Sequence, residues 1–149
     1  MELKIKALSP KIGQEIPAPH FATPGSAAMD LCACLEEPVI LQPGERRRIP
    51  HGFAIALPSK DYVALVFARS GLASNEGITL ANCVGVIDSD YRGPLMTPLV
   101  NLSDKPYTIH PGDRIAQLMV VPVLQPTLTF VDELDETARG AGGFGSTGR

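Results

Sequence analysis

Apolar residues along this chain fall in short runs separated by turn signals. The runs are Leu3–Ala7, Val39–Leu41, Phe53–Leu57, Tyr62–Ala68, Ile78–Leu80, Val84–Ile87, Leu99–Leu102, Tyr107–Ile109, Ile115–Leu124 and Leu128–Val131. Several are rich in Val and Ile, and most are too short for a buried helix. Short strands recurring every 8–12 residues or so predict an all-β sandwich or barrel. The 14 prolines, spread from Pro10 to Pro126, agree with this, because a helical bundle needs longer proline-free stretches with a 3.6-residue apolar period. Two segments repeat a local pattern, Leu41-Gln-Pro-Gly-Glu-Arg46 and Ile109-His-Pro-Gly-Asp-Arg114. Pro presets φ and Gly accepts φ > 0, so each predicts a type II turn at a strand–turn–strand corner. Arg69–Asn75 has neither proline nor alternation and predicts one or two helical turns. Asp132–Ala138 is a second, acidic helix candidate.

Composition narrows the class. The 149 residues suit one domain, and 44% hydrophobic with 19% charged residues excludes wholesale disorder. A net charge of -3 and a pI near 5.5 offer no electrostatic support for binding a nucleic-acid backbone. The longest unbroken apolar runs, Tyr62–Ala68 and Leu118–Leu124, are far below the roughly 20 residues of a membrane helix. The N-terminus alternates Leu3, Lys4, Ile5 and Lys6 and has no signal-peptide core. Cys32, Cys34 and Cys83 make an odd count, which suits a reduced, cytoplasmic protein with free thiols. Cys32-x-Cys34 lacks the second ligand pair of a zinc site.

The last ten residues include five glycines, and Phe144 is their one large apolar side chain. Glycine loses the most backbone entropy on ordering, so this stretch predicts a flexible tail. It matches the dinucleotide fingerprint twice, from Gly140 and from Gly143, but no helix or strand follows, so a Rossmann reading fails. A tail of free N–H groups with Ser146, Thr147 and Arg139 suits wrapping of anionic phosphate, and Phe144 suits stacking on a flat ring.

Asn82–Gly93 is the next constellation. An apolar strand runs into Asp88-Ser89-Asp90-Tyr91 and then breaks at Arg92-Gly93-Pro94. These residues read either as a solvated hairpin tip or as a carboxylate base held beside an aromatic ring that packs on a sugar. Gly85 permits close backbone approach of a ligand. Arg69-Ser70-Gly71 offers guanidinium, hydroxyl and N–H donors for phosphate oxygens, or is an exposed loop arginine. Gln117 lies inside an apolar strand and needs hydrogen-bond partners there. His20, His51 and His110 are scattered, with no nucleophile–His pairing.

Five blocks occur in an order that resembles the trimeric dUTPase family, bacterial branch. They are Ser26-Ala-Ala-Met-Asp30-Leu31, Arg69-Ser-Gly-Leu-Ala73, Asn82–Gly93, Gly112-Asp-Arg-Ile-Ala-Gln-Leu118 and Arg139-Gly-Ala-Gly-Gly-Phe-Gly-Ser-Thr-Gly148. The resemblance implies a jelly-roll-like, distorted barrel of the β-clip type, a homotrimer with sites at subunit interfaces, and Mg²⁺-dependent hydrolysis of dUTP to dUMP and pyrophosphate. It divides the chain into a β-barrel over residues 1–131 and a C-terminal arm or lid over residues 132–149. By the same resemblance Asp88 activates the attacking water and meets the sugar, and Tyr91 packs under the deoxyribose. Asn82, Gly85, Val86, Ile87 and Met96 shape the uracil pocket. Arg69, Ser70, Gly71 and Gln117 contact phosphates, and Asp30 reaches the metal through water. Arg139, Phe144, Gly145 and Ser146 close over the nucleotide. Two positions depart from the family pattern: Ala68 stands where Pro is usual and Ala28 where Gly is common. The related dCTP deaminases and a non-catalytic nucleotide-binding trimer are the alternative readings.

Overall fold

The structure, a computed structural model, describes residues 1–143. The described residues contain twelve strands and one helix. They are β1 (Lys4–Ala7), β2 (His20–Phe21), β3 (Met29–Cys32), β4 (Val39–Leu41), β5 (Arg46–Pro50), β6 (Phe53–Ala56), β7 (Tyr62–Ala68), α1 (Ser70–Glu76), β8 (Ile78–Leu80), β9 (Gly85–Ile87), β10 (Met96–Asn101), β11 (Tyr107–Ile109) and β12 (Arg114–Pro122). The strands pair antiparallel, in a five-stranded sheet ordered β2-β3-β12-β7-β9, a three-stranded sheet β5-β10-β8, and two ribbons, β1-β6 and β4-β11. This is the all-β, jelly-roll-like architecture that the run lengths and the resemblance predicted.

The inward face of each sheet supplies one core. Leu31, Leu41, Ile49, Ile78, Leu99, Ile109, Ile115 and Leu118 are all buried there. Each contributes roughly 1.5–3 kcal/mol relative to exposure. In β10 the alternation is visible directly: Thr97, Leu99 and Asn101 point inward and Met96 outward. Buried polar groups are paired. Asn101 Nδ2 donates to the carbonyls of Leu41 and Lys105, and its Oδ1 accepts from Ser103. His51 lies between Cys32 O, 2.8 Å from Nδ1, and Thr97 Oγ1, 2.7 Å from Nε2. Burial holds its pKa down at about 4, so the ring is neutral near pH 7.

Both Pro-Gly corners form as predicted. Gly44 and Gly112 have φ of 76° and 84°, and Glu45 N and Asp113 N donate to the carbonyls of Gln42 and His110. In each corner the acid at the fourth position also accepts from the first residue's N–H, Gln42 to Glu45 and His110 to Asp113. Two expectations fail. Leu128–Val131 is not a strand and Asp132–Ala138 is not a helix. Among the described residues regular structure ends at Pro122, and Leu124, Leu128, Phe130 and Leu134 are all exposed. Among the described residues no strand lies alongside Leu128–Val131, and an apolar run without a ladder partner cannot hold itself as sheet.

Candidate functional site

One group of predicted residues assembles where β3, β12 and β7 meet. Gln117 of β12 lies opposite Asp30 of β3 on one side and Phe67 of β7 on the other. The β12–β3 register shifts between Arg114 and Ala116, a bulge that turns the Arg114 side chain toward Asp30. Arg114 Nη1 then lies 3.1 Å from Asp30 Oδ2, while Arg69 Nε lies 3.1 Å from Asp30 Oδ1. Arg69 Nη1 also donates to the Arg114 carbonyl. β7 ends at Ala68, whose carbonyl accepts from Gln117 Nε2 at 2.9 Å. There the chain leaves the sheet, and Arg69 precedes α1 in extended conformation. The result is a cavity of about 410 Å³ lined by Asp30, Arg69, Ser70, Gly71, Arg114 and Gln117, with Ser26 and Ala28 at its rim. Two guanidiniums against one carboxylate leave it net positive, with a hydroxyl and an amide beside them. Such a donor set suits phosphate oxygens.

Arg114 escaped the sequence-based reading, where it stood in a Pro-Gly corner and in the Gly112–Leu118 block without a role of its own. Spacing gave no signal: Gln117 is three residues on, which in a regular strand puts the two side chains on opposite faces, and only the bulge brings both to this cavity. The two departures from the family pattern leave this geometry intact. Cys83 is the one non-glycine residue with positive φ among the described residues, so Ala28 carries no left-handed strain. Ala68 closes β7 in register with Ala116.

The second group forms on β9 and on the connection from β9 to β10, which passes from the five-stranded sheet to the three-stranded one. Cys83 has φ of 63°, and Val84 N donates to Asn82 O, an i→i+2 bond that turns the chain tightly into β9. β9 then pairs with β7, Ile87 opposite Ala64 and Gly85 opposite Val66. A Cβ on Gly85 would stand 3.1 Å from Val66 Cβ, so close strand approach already asks for a small residue there. Past β9, Asp88, Tyr91 and Met96 face a cleft of about 270 Å³ with Val86, Ile87 and Leu95. Arg48 of β5 reaches the same cleft. Nothing in the run Arg46-Arg47-Arg48 distinguishes it by sequence. Val86, Tyr91 and Met96 are large apolar side chains left exposed, an apolar surface fit for a flat ring. Asn82 is exposed in the turn before β9, outside the residues that line the cleft.

The two groups do not meet within one chain. Asp88 follows the partner of Ala64, whereas Arg69 lies five residues further along the same strand direction, roughly 17 Å of extended chain. Arg139 is exposed in a turn where its carbonyl accepts from Gly142 N. Phe144, Gly145 and Ser146 lie outside the described residues.

Comparison with known proteins agrees with these blocks. The chain is 51% identical over 146 residues to the deoxyuridine 5'-triphosphate nucleotidohydrolase of Hahella chejuensis, covering 98% of this chain and 96% of that protein. It is 49% identical over 148 residues to the enzyme of the same name from Serratia proteamaculans, covering 99% and 97%. Among solved structures, a dUTPase of Staphylococcus bacteriophage 80alpha with dUpNHpp superposes with a TM-score of 0.86 at 28% identity, covering 99% of each chain. A phage phi11 dUTPase, described with a structural Mg(II) ion, superposes at 0.79 with 25% identity, covering 91% of this chain and 100% of that one. The fold and these relatives define a nucleotidohydrolase. The dUTPase family model matches residues 14–148, and the chain belongs to the dUTPase family.

Proposed function

We propose that the chain hydrolyses dUTP to dUMP and pyrophosphate in sites built between the subunits of a homotrimer. The observation that carries this reading is the placement of the two residue groups at opposite ends of β7. A nucleoside triphosphate needs both a base-and-sugar cleft and a cationic phosphate cavity, and each chain offers the two apart. Two copies set side by side bring the cleft of one to the cavity of the next. The exposed apolar residues Leu124, Leu128, Phe130 and Leu134 support a third contribution, in which the C-terminal arm, residues 132–149, crosses to another subunit.

Each residue then has a physical task. The turn at Asn82 and the strand Gly85, Val86 and Ile87, with Met96, hold uracil through backbone donors and acceptors, which cytosine would leave unpaired. Tyr91 packs under the sugar and leaves no space for a 2'-hydroxyl. Asp88 accepts a proton from the water that attacks the α-phosphorus. Arg69, Ser70, Gly71, Arg114 and Gln117 hold phosphate oxygens in line for that attack. Arg139, Phe144, Gly145 and Ser146 of the arm close over the nucleotide and exclude water.

The donor set of the phosphate cavity fits a Mg²⁺ that arrives with the substrate. Asp30 is the single carboxylate lining the cavity, and among the described residues no cluster of three or more His, Cys, Asp or Glu side chains is present. Mg²⁺ commonly takes one or two carboxylates plus substrate phosphates and keeps several waters. Asp30 would hold it through water, and the bound ion would supply charge neutralisation on the triphosphate. Among the described residues no helix is long and apolar enough to cross a membrane. The reduced cysteines support a cytoplasmic enzyme that limits uracil entry into DNA and supplies dUMP for dTMP synthesis.

Pyrophosphate release from dUTP, dCTP, dTTP and UTP with Mg²⁺, with and without EDTA, tests this function. Rapid release from dUTP alone, abolished by EDTA, is the expected result. Ammonia released from dCTP, or binding of dUTP without turnover, would contradict it.

A further inference from the structure

Tyr91 is held by almost nothing except its own turn. Its ring is 42% exposed, and its hydroxyl donates to the Pro94 carbonyl at 3.1 Å. The ring lies directly on Gly93: a Cβ built there would stand 2.6 Å from Tyr91 Cζ and 3.0 Å from Cε2, closer than any real Cβ contact. The φ of Gly93 is not in the left-handed region, so backbone conformation does not require glycine at this position. What requires it is the aromatic ring. One residue earlier, Arg92 Nη1 donates to two carbonyls of the same turn, Ser89 O and Tyr91 O, both at 2.8 Å. Tyr91 N donates to Asp88 O at 3.2 Å and closes the loop on the carboxylate residue itself. Arg92 also lines a groove with Lys4, Lys6 and Ala54–Ala56 of the β1–β6 ribbon.

We propose that Gly93 and Arg92 are positioning residues that set the plane of the Tyr91 ring relative to Asp88, and through it the selection of a 2'-deoxy sugar. The inference rests on the reading of Tyr91 as the sugar-facing ring. Gly93 leaves the ring room to lie flat along the turn, and Arg92 pins the two carbonyls that flank Asp90. Neither residue touches substrate in this account.

The substitution Gly93→Ala separates this role from a structural one. The added methyl meets the outer end of an exposed side chain, so the ring swings away from its bond to the Pro94 carbonyl and the fold is retained. A ring displaced by about 1 Å misplaces the sugar, and the ratio of kcat/KM for dUTP over UTP is expected to fall about 10-fold or more. Arg92→Met should lower the same ratio, and Arg92→Lys should restore part of it, because an ammonium can still donate to a carbonyl. In the Tyr91→Ala background Gly93→Ala should change nothing further, since no ring remains to be displaced. Unchanged ratios in Gly93→Ala and Arg92→Met, beside a lowered ratio in Tyr91→Ala, overturn the inference alone. An unchanged ratio in Tyr91→Ala overturns the inference together with the role of Tyr91.

Discussion

Asp30 Oδ1 and Arg69 Nε meet at 3.1 Å and join the second strand of the five-stranded sheet to the end of its fourth. The other oxygen of Asp30 takes Arg114, so one nearly buried carboxylate holds two cations that would otherwise repel. Asp30→Asn keeps the shape and removes the charge. The guanidiniums are 28% and 51% exposed, and solvent screens them. The expected loss is therefore about 1–2 kcal/mol, below the roughly 3–5 kcal/mol of breaking a fully buried pair. Urea unfolding checks it, and a midpoint equal to that of the parent chain would show that the arginines need no anion between them.

Asp88 lies on the rim of its cleft, at the end of a strand paired with β7, where a side chain is both fixed and reachable by water. Asp88→Asn should leave nucleotide binding near its original affinity. Turnover of dUTP should drop about 10²–10⁴-fold, the size of a lost general base. Calorimetric titration with a non-hydrolysable analogue, paired with pyrophosphate release, separates the two effects. Turnover close to that of the parent chain would remove Asp88 from the proton transfer.

His51 predicts how the fold responds to acid. Its pKa is held at about 4, against 6.5 for an ordinary histidine, because burial disfavours the charged ring. Between those two values the unfolded chain binds a proton that the folded chain refuses. Stability is therefore full above about pH 6.5 and falls as pH drops toward 4, by about 3 kcal/mol at most. His51→Gln should flatten the stability curve over that window, whatever it costs at pH 7. Equal slopes in the two proteins would mean that another group carries the acid sensitivity.

The strands legible in the sequence are those whose own side chains suit a half-buried sheet. β4, β7, β8 and β11 stand where their apolar runs predicted, with the same bounds. β3 and β5 are strands for another reason. Met29–Cys32 includes an acid, and Arg46–Arg48 is a run of charge. Their conformation comes from pairing with β12 and β10. Leu128–Val131 is the reverse case, an apolar run with a strand's composition and no partner strand among the described residues. For the site, Arg69, Ser70, Gly71, Asp88 and Tyr91 were legible as local chemistry. Arg114 and Arg48 were not, because each acquires its place only when a bulge or a neighbouring strand brings it to a cavity. The gap between the two residue groups was invisible for the same reason: it follows from the β7–β9 register.

Subunit mixing shows whether the two residue groups of one site come from different chains. The variants Asp88→Asn and Arg69→Ala, each nearly inactive alone, are unfolded, mixed in equal amounts and refolded together. If a site takes Asp88 from one chain and Arg69 from another, about one quarter of sites in randomly assorted trimers hold both intact residues. The mixture should then regain dUTP hydrolysis to about that fraction. If both residues serve the same site from one chain, every site in the mixture lacks one of them, and activity that stays at the level of the separate variants would contradict the account.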